Sequence, residues 1–263
     1  MPPNSSLQSL EIVSLISIGK HPQSGRERRA EQDARAVELG LAVSQGNLTV
    51  LHVGNAQQNA LRHYAGMGLS EIHVLEAPTH ADAMAPLTDY LHENTPHIIL
   101  TGVRAENGES SGMVPYLLAE KLGWPMVSRI ANIVSIKDGI AEVLQALPRG
   151  QRRVINVALP FIASVDSAAP EARQSAFGPA SRATLSVQTC AIEKDDVAEN
   201  WTETPARKRP KRLKIIKAKT AAERFKAATA KPQGESGKVM VKESDQEKAK
   251  AIFNLLLEEK VIR

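Results

Sequence analysis

The chain has 263 residues, 42% of them hydrophobic but only 3% aromatic, with a formal net charge of +4 and a single cysteine. That length can bury a large core, in one domain or in a domain with an appendage, and the composition builds it from Val, Ile, Leu and Ala, which suits a sheet covered by helices. Lone Cys190 excludes an intrachain disulfide and any cysteine cluster for zinc or iron–sulfur, and the scarcity of aromatics argues against a nucleic-acid-stacking surface.

Residues 1–19 lack a basic region and hold only a short apolar run interrupted by serine, a poor secretion signal, and no stretch approaches a membrane span. The expected setting is cytoplasmic, without stable membrane insertion. Residues 11–18 read as a first strand, 20–26 as a polar loop, and 27–44 as a helix with Ala30, Ala34, Val37, Leu39 and Leu41 at apolar positions. A second strand at 48–53 ends at Gly54-Asn55. A helix over 57–67, a third strand at 71–75, a helix over 82–92 and a fourth strand at 97–101 follow. This alternation predicts an α/β fold of the adenine-nucleotide-binding, Rossmann-like kind: a parallel sheet with helices on both faces. Ligands of such sheets sit beyond the carboxyl ends of the strands, where the loops at Ser17-Ile18, Val53-Gly54 and 102–112 converge.

The last of these loops is the most informative. Glu106-Asn107-Gly108-Glu109-Ser110-Ser111-Gly112 separates the apolar strand from a helical run at 113–122. A glycine turn of this kind can aim backbone N–H groups at an anion, and the start of a helix adds positive potential, so phosphate is the expected cargo. It is neither a Walker sequence nor Gly-x-Gly-x-x-Gly opening a first helix; by itself it is also compatible with an ordinary strand-to-helix loop.

After Pro125 the rhythm changes. Strand-like runs at 127–135, 139–146 and 152–159, separated by Lys137-Asp138-Gly139 and Pro148-Arg149-Gly150, predict antiparallel ribbons added to the sheet. Residues 163–181 are small, polar and proline-punctuated and read as a loop. Residues 199–210 and 232–237 read as linkers, and 207–226 carries ten Lys/Arg against one acid, Glu223. An amphipathic helix over 243–260 ends the chain, with Ala249, Ile252, Phe253, Leu256 and Leu257 as its stripe. The expected organisation is a nucleotide-binding domain over 1–190 and, over 191–263, an extended basic arm whose helix packs on a partner.

No Gly-x-Ser-x-Gly elbow or His-Glu-x-x-His pattern is present. Asp33, Asp82, Asp166, Glu106 and Glu109 could act as acids or bases, although carboxylates near helix starts are more simply caps or dipole partners. Nothing beside Cys190 specifies an activating base. The residues alone therefore describe a nucleotide-binding protein with no bond-making apparatus of its own. A stand-alone adenine-nucleotide-binding regulator and, behind it, a nucleotidyl transferase or hydrolase are the rival readings.

Several segments, in order, carry a resemblance: Glu11-Ile12-Val13-Ser14-Leu15-Ile16-Ser17-Ile18-Gly19-Lys20, Asp33-Ala34-Arg35-Ala36-Val37-Glu38-Leu39, Tyr64-Ala65-Gly66-Met67-Gly68-Leu69 and Ala158-Leu159-Pro160. To these add Leu118-Ala119-Glu120-Lys121-Leu122-Gly123-Trp124-Pro125, Lys211-Arg212-Leu213-Lys214-Ile215-Ile216 and the final helix. The chain resembles the beta subunit of electron-transfer flavoprotein. The resemblance implies a heterodimer with an alpha subunit that holds most of a redox-active FAD, AMP as a structural cofactor on the beta side, a flavoprotein dehydrogenase as electron donor and a quinone oxidoreductase as acceptor. From composition and motifs, no nucleic-acid partner and no metal site are expected. The resemblance places the nucleotide at Ile18, Val53, Gly54, Arg104, Asn107, Gly108, Glu109, Ser110, Ser111 and Gly112, and the anchor that docks into the dehydrogenase at Phe177. The sequence departs from the pattern that the resemblance implies in three places: Glu27-Arg28-Arg29-Ala30-Glu31 opens the first helix, so that Arg29 stands where an aromatic often approaches the flavin and Arg28 or Arg29 either faces the flavin phosphate or is a solvated charge; the usual Asp-rich, Gln-containing nucleotide loop is replaced, so that AMP, a second FAD or nothing all stay open for that site; and the chain after Cys190 carries more linker than usual.

Overall fold

The computed structural model describes residues 10–44, 47–78, 81–193 and 240–258, together with 197, 200–202, 204, 220–223 and 225. The chain divides into two units, Met1–Thr202 and Glu203–Arg263.

In the first unit the hydrophobic runs become the middle of a nine-stranded sheet. Strand β1 (Ile12–Ile16) pairs in parallel with β4 (Leu48–Gly54) on one side and β6 (Ile98–Gly102) on the other. Beyond β4 lies β5 (Glu71–Glu76), and beyond β6 lies β10 (Phe161–Val165). All five residues of β1, β6 and β10 are buried, as parallel strands covered on both faces require. Side chains alternate across the sheet. Ile12 and Ile16 of β1 face the same side as α1 (Glu31–Val43) and α2 (Leu61–Ala65), while Val13 and Leu15 pack with Leu87 and Leu91 of α3 (Met84–Asn94) and Leu118 of α4 (Val114–Leu122).

The predicted antiparallel addition is present. Strand β7 (Met126–Lys137) runs parallel to β10 at its start, then continues past a register shift to pair antiparallel with β8 (Ile140–Ala146), which pairs with β9 (Arg152–Ala158). The sheet is therefore mixed, mostly parallel.

The structure corrects several boundaries. The helix expected from residue 27 starts at Glu31, because Glu27–Arg29 (β3) pairs antiparallel with Ile18–Lys20 (β2) as a separate two-stranded ribbon. The helix expected over 57–67 shrinks to α2. Residues 163–181, read as a loop, contain the end of β10 and the short helix α5 (Phe177–Arg182). Strand β11 (Thr184–Thr189), absent from the sequence reading, pairs in parallel with β5 and forms one edge of the sheet.

In the second unit the described element is helix α6 (Asp245–Glu258), close to its predicted span. Its N-terminus carries the reciprocal bonds of a capping box: Glu247 accepts from Ser244 N at 2.9 Å, and Ser244 Oγ accepts from Glu247 N at 3.4 Å. Most of the basic tract at 207–226 and the segment 211–216 lie outside the described residues. Among the described residues no helix is long and apolar enough to cross a membrane.

Candidate functional site

The chain travels outward from β1 through β4 to β5 and then crosses back to β6 on the other side of β1. The reversal opens a crevice at the carboxyl ends of β1 and β6, where loops diverge and leave room for a ligand. A cavity of about 630 Å³ lies there, within the range of small-molecule sites. Its walls come from Ser17 after β1, Val53 in β4, Thr101 and Gly102 in β6, the start of α3, and the loop 103–113.

The structure gathers most of the expected nucleotide residues. Val53, Arg104, Asn107, Gly108, Glu109, Ser110, Ser111 and Gly112 all line this cavity; Ile18 and Gly54 do not. Ile18 is buried on β2 in the cluster that contains Leu61 and Tyr64, and the carbonyl of Gly54 accepts from Ala77 N at 3.2 Å.

The loop has the backbone of an anion cradle in part. Gly108, Ser110 and Gly112 adopt left-handed conformations, with φ of 72°, 57° and 75°. Gly112 has two reasons to be glycine: its φ, and the Val103 carbonyl oxygen 2.6 Å from where a Cβ would stand. The left-handed Ser110 is held by its own side chain, whose hydroxyl donates to the Ala105 carbonyl. Gly108 and Glu109 form a turn that directs the Ser110 N–H back toward the Asn107 carbonyl; among the described residues, no hydrogen bond uses the backbone N–H groups of residues 104–109, 111 and 112. Such donors need water or a ligand. Arg104 and Ser110 also wall a neighbouring cavity of about 450 Å³ with Lys20, Arg28, Gln32 and Ser167.

Below the loop, the N-terminus of α1 is tied to the end of β6 by its own side chains. Gln32 Oε1 accepts from Val103 N at 3.1 Å. Asp33, 5% exposed, accepts at Oδ1 from Gly102 N at 3.0 Å and at Oδ2 from Ser17 N at 2.8 Å and Ser17 Oγ at 2.5 Å. One carboxylate thus joins the ends of β1 and β6 at the point where they separate. Burial pushes its pKa up to about 6, against the hydrogen bonds from Ser17 and Gly102. Glu106 returns the connection: Oε1 accepts from Glu31 N at 2.7 Å, satisfying an orphan donor of α1, and Oε2 pairs with Arg28 at 3.0 Å.

Two further groups complete the floor. Tyr64, fully buried, accepts from Ala30 N at 2.8 Å and donates to Ser17 O at 2.8 Å. Burial lowers the pKa of His52, so the ring is neutral at neutral pH, and the carbonyl of Ile16, 2.9 Å from Nδ1, places the proton on that nitrogen.

The other acid–base candidates lie apart or are engaged. Asp166 pairs with Arg129 at 2.8 Å, Asp82, one residue before the N-cap of α3, accepts from Met84 N at 2.9 Å, and Glu109 is exposed on the loop. Burial raises the pKa of the Cys190 thiol, whose Sγ lies 3.5 Å from the Glu76 carbonyl. The sequence reading named Asp33 and Glu106 as possible acids that are more simply caps or dipole partners, and it did not foresee which backbone groups they join: Ser17 N and Gly102 N for Asp33, Glu31 N for Glu106. The signal was available in Asp33: an acid in the first turn of a helix that begins beside the carboxyl edge of the sheet.

Phe177, the expected partner anchor, opens α5 and is 88% exposed. The loop before it is fixed. Arg173 grips Glu38 through Nε and Nη2 at 2.8 Å each, and Ala176 N donates to Gly66 O at 2.9 Å.

Comparison with known proteins gives a consistent result. Residues 25–200 match the family described as the electron transfer flavoprotein domain. Over its whole length the chain is 49% identical to the electron transfer flavoprotein subunit beta of Chromohalobacter salexigens, also covered completely. A protein of Escherichia coli K12 that carries the name "Putative electron transfer flavoprotein subunit YgcR" is 30% identical over 127 residues, 45% of this chain and 47% of its own.

Proposed function

The chain belongs to the electron transfer flavoprotein family, and on that premise we propose that it is the beta subunit of a heterodimer that carries electrons from flavoprotein dehydrogenases toward a quinone oxidoreductase of the respiratory chain. Its partner is an alpha subunit with which it shares FAD. The flavin supplies the redox chemistry when bound; this chain supplies position and a docking face.

The crevice at the β1/β6 divergence is the beta-side nucleotide site, and AMP is its ligand. The observation that carries this reading is the set of unspent N–H donors at residues 104–109, 111 and 112, above a cavity of about 630 Å³ at the switch point of the sheet. These donors fit a phosphate group. Arg104 adds a cationic side chain at the same wall, and Val53 with the strand ends offers an apolar surface for a base. Asp33, Gln32 and Glu106 act one layer below, holding the loop and the helix start in place.

The test is to purify the complex through a tag on this chain, record its absorbance spectrum and identify the nucleotides released on denaturation. We expect an alpha subunit, about one FAD and one AMP per pair. A lone colourless chain that stays colourless when the alpha subunit is supplied would refute the carrier reading. A flavin-bearing pair without AMP would refute only the assignment of the crevice.

A further inference from the structure

A third cavity, of about 670 Å³, opens between β3, the first half of α1, α2 and the loop that leads into α5, away from the nucleotide crevice. Arg28, Arg29, Arg35, His63 and Phe177 are among its walls. Three guanidinium groups around one cavity raise the question of what balances them.

Two are balanced within the chain. Arg28 pairs with Glu106 at 3.0 Å. Arg35 donates from Nη1 to the Ala169 carbonyl at 2.6 Å, and its Nη2 lies 3.4 Å from Glu31 and 3.7 Å from Glu171. Arg29 is different. Among the described residues it forms no ion pair, and its Nη1 is buried without a hydrogen-bond partner. The acid that influences it, Glu38, is already bound by Arg173 through two side-chain bonds of 2.8 Å and a backbone bond of 3.1 Å. Burial lowers the Arg29 pKa more than Glu38 and Tyr64 raise it. A guanidinium stays charged in proteins, so Arg29 bears a desolvation cost that Glu38 offsets only in part and that no ion pair among the described residues relieves.

The same cavity has Phe177 on its rim. That side chain is 88% exposed, yet the loop that presents it is tied to the body by hydrogen bonds. Besides the Arg173–Glu38 clamp, the backbone passes so close to Gly66 that a Cβ there would meet Ser175 Oγ and, at 3.0 Å, Ala176 N. An exposed aromatic on a fixed loop, beside a half-buried cation with no ion pair among the described residues, is a two-point docking surface. The apolar point fits a pocket and the cationic point fits a carboxylate, whose planar geometry matches the guanidinium fork.

We propose that this cavity receives a carboxylate side chain of the electron-donating flavoprotein, which pairs with Arg29 while Phe177 enters an apolar pocket on the same protein. The inference rests on the carrier reading given above. It adds a charge-selective contact to the aromatic anchor, so that donors with an acidic group beside their pocket are preferred and those with a basic group are rejected.

The experiment uses the intact heterodimer and, as probe, the dehydrogenase purified from the source cells by its ability to reduce the wild-type complex. Reduction rates are recorded against heterodimer concentration at several salt concentrations for wild type, Arg29→Gln, Arg29→Lys and Phe177→Ala. Arg29→Gln is expected to weaken the donor complex about tenfold at low salt, and the difference from wild type is expected to shrink as salt screens the pair. Arg29→Lys keeps the salt dependence and recovers part of the affinity. Phe177→Ala weakens binding at every salt concentration. Because Arg29 has no ion-pair partner among the described residues, Arg29→Gln is not expected to lower the melting temperature or the FAD content.

Equal affinity and equal salt slope for Arg29→Gln and wild type would overturn the inference while leaving the carrier reading intact. So would loss of FAD or of the alpha subunit in Arg29→Gln, which would assign Arg29 to the heterodimer instead. A wild-type pair that no dehydrogenase reduces would overturn both.

Discussion

Replacing Gly102 by alanine tests the arrangement at the centre of the molecule. Gly102 closes β6 directly against α1. A Cβ added there falls closer to Asp33 Oδ1 than any real Cβ approaches an oxygen, and 3.1 Å from the Asp33 backbone nitrogen. Asp33 has no room to retreat. Its other oxygen is held by Ser17 N at 2.8 Å and Ser17 Oγ at 2.5 Å, and its backbone belongs to a buried helix face. Alanine must therefore break the 3.0 Å bond from Gly102 N and move α1 away from the strand. Losing a buried hydrogen bond to a carboxylate costs about 1.5–3 kcal/mol, and overpacking adds about 1–3 kcal/mol. The sum, about 2.5–6 kcal/mol, lowers a urea midpoint by about 1–3 M at a slope of about 2–3 kcal/mol per M. Gly178→Ala is the contrast. Its Cβ would meet only the Arg182 guanidinium at 3.3 Å, the end of a flexible side chain, so a change within about 0.5 kcal/mol is expected. Circular dichroism in urea measures both. Equal midpoints for the two variants would refute the claim that Asp33 is a rigid junction between β6 and α1.

Two further outcomes follow from the same floor of the site. Tyr64→Phe removes the hydroxyl that joins Ala30 N to Ser17 O and leaves both backbone groups unmet in the core, so a loss of about 1–3 kcal/mol is expected in the same unfolding assay; an unchanged midpoint would show that the bridge contributes nothing. Asp33 titrates near 6 when folded against about 3.8 unfolded, mainly through burial. Below the unfolded value both states are protonated and the group makes no difference. Between the two values the unfolded chain ionises first, so this contribution to stability falls as pH rises from about 4 to about 6, by about 3 kcal/mol in all, and is constant above that. Glu38, held below the usual carboxylate range chiefly by Arg173, works in the opposite direction, so the signature is the difference between wild type and Asp33→Asn across that window. A difference that does not change with pH would sink this account.

The parallel core was legible because its strands are short apolar runs bounded by polar turns, and β1, β4, β5 and β6 fall where those runs lie. Three elements were not. Strand β10 is fully buried between β6 and β7, but its Ala163 and Ser164 merge in sequence with the small-residue stretch that follows; only long-range pairing separates strand from loop there. The ribbon of β2 and β3 has three residues per strand, and its arginines continue the spacing of α1. Ala30, extended at φ −68° and ψ 135°, marks the break, and its N–H finds the Tyr64 hydroxyl in place of a helical carbonyl. Strand β11 is an edge with alternating polar residues, half solvated and paired on one side, so it lacks the hydrophobic run that announces a central strand.

The candidate site was legible as a loop and illegible as a junction, and the reason lies in which atoms carry each. The loop is specified by glycines at left-handed positions, and glycine in a sequence advertises such backbone directly. The junction is specified by carboxylates and an amide whose partners are backbone N–H groups, and a sequence does not show which N–H a carboxylate will reach. Asp33, Gln32 and Glu106 look identical in type to catalytic acids or solvated charges until their partners, Gly102 N, Val103 N and Glu31 N, are seen. This division also bears on the departure of the loop from the pattern that the resemblance implies. Where backbone donors supply the anion contacts, side chains between the left-handed positions are free to differ without moving the donors. The constraint falls instead on Gly108, Ser110 and Gly112, and on the side chains beneath that fix where the loop begins.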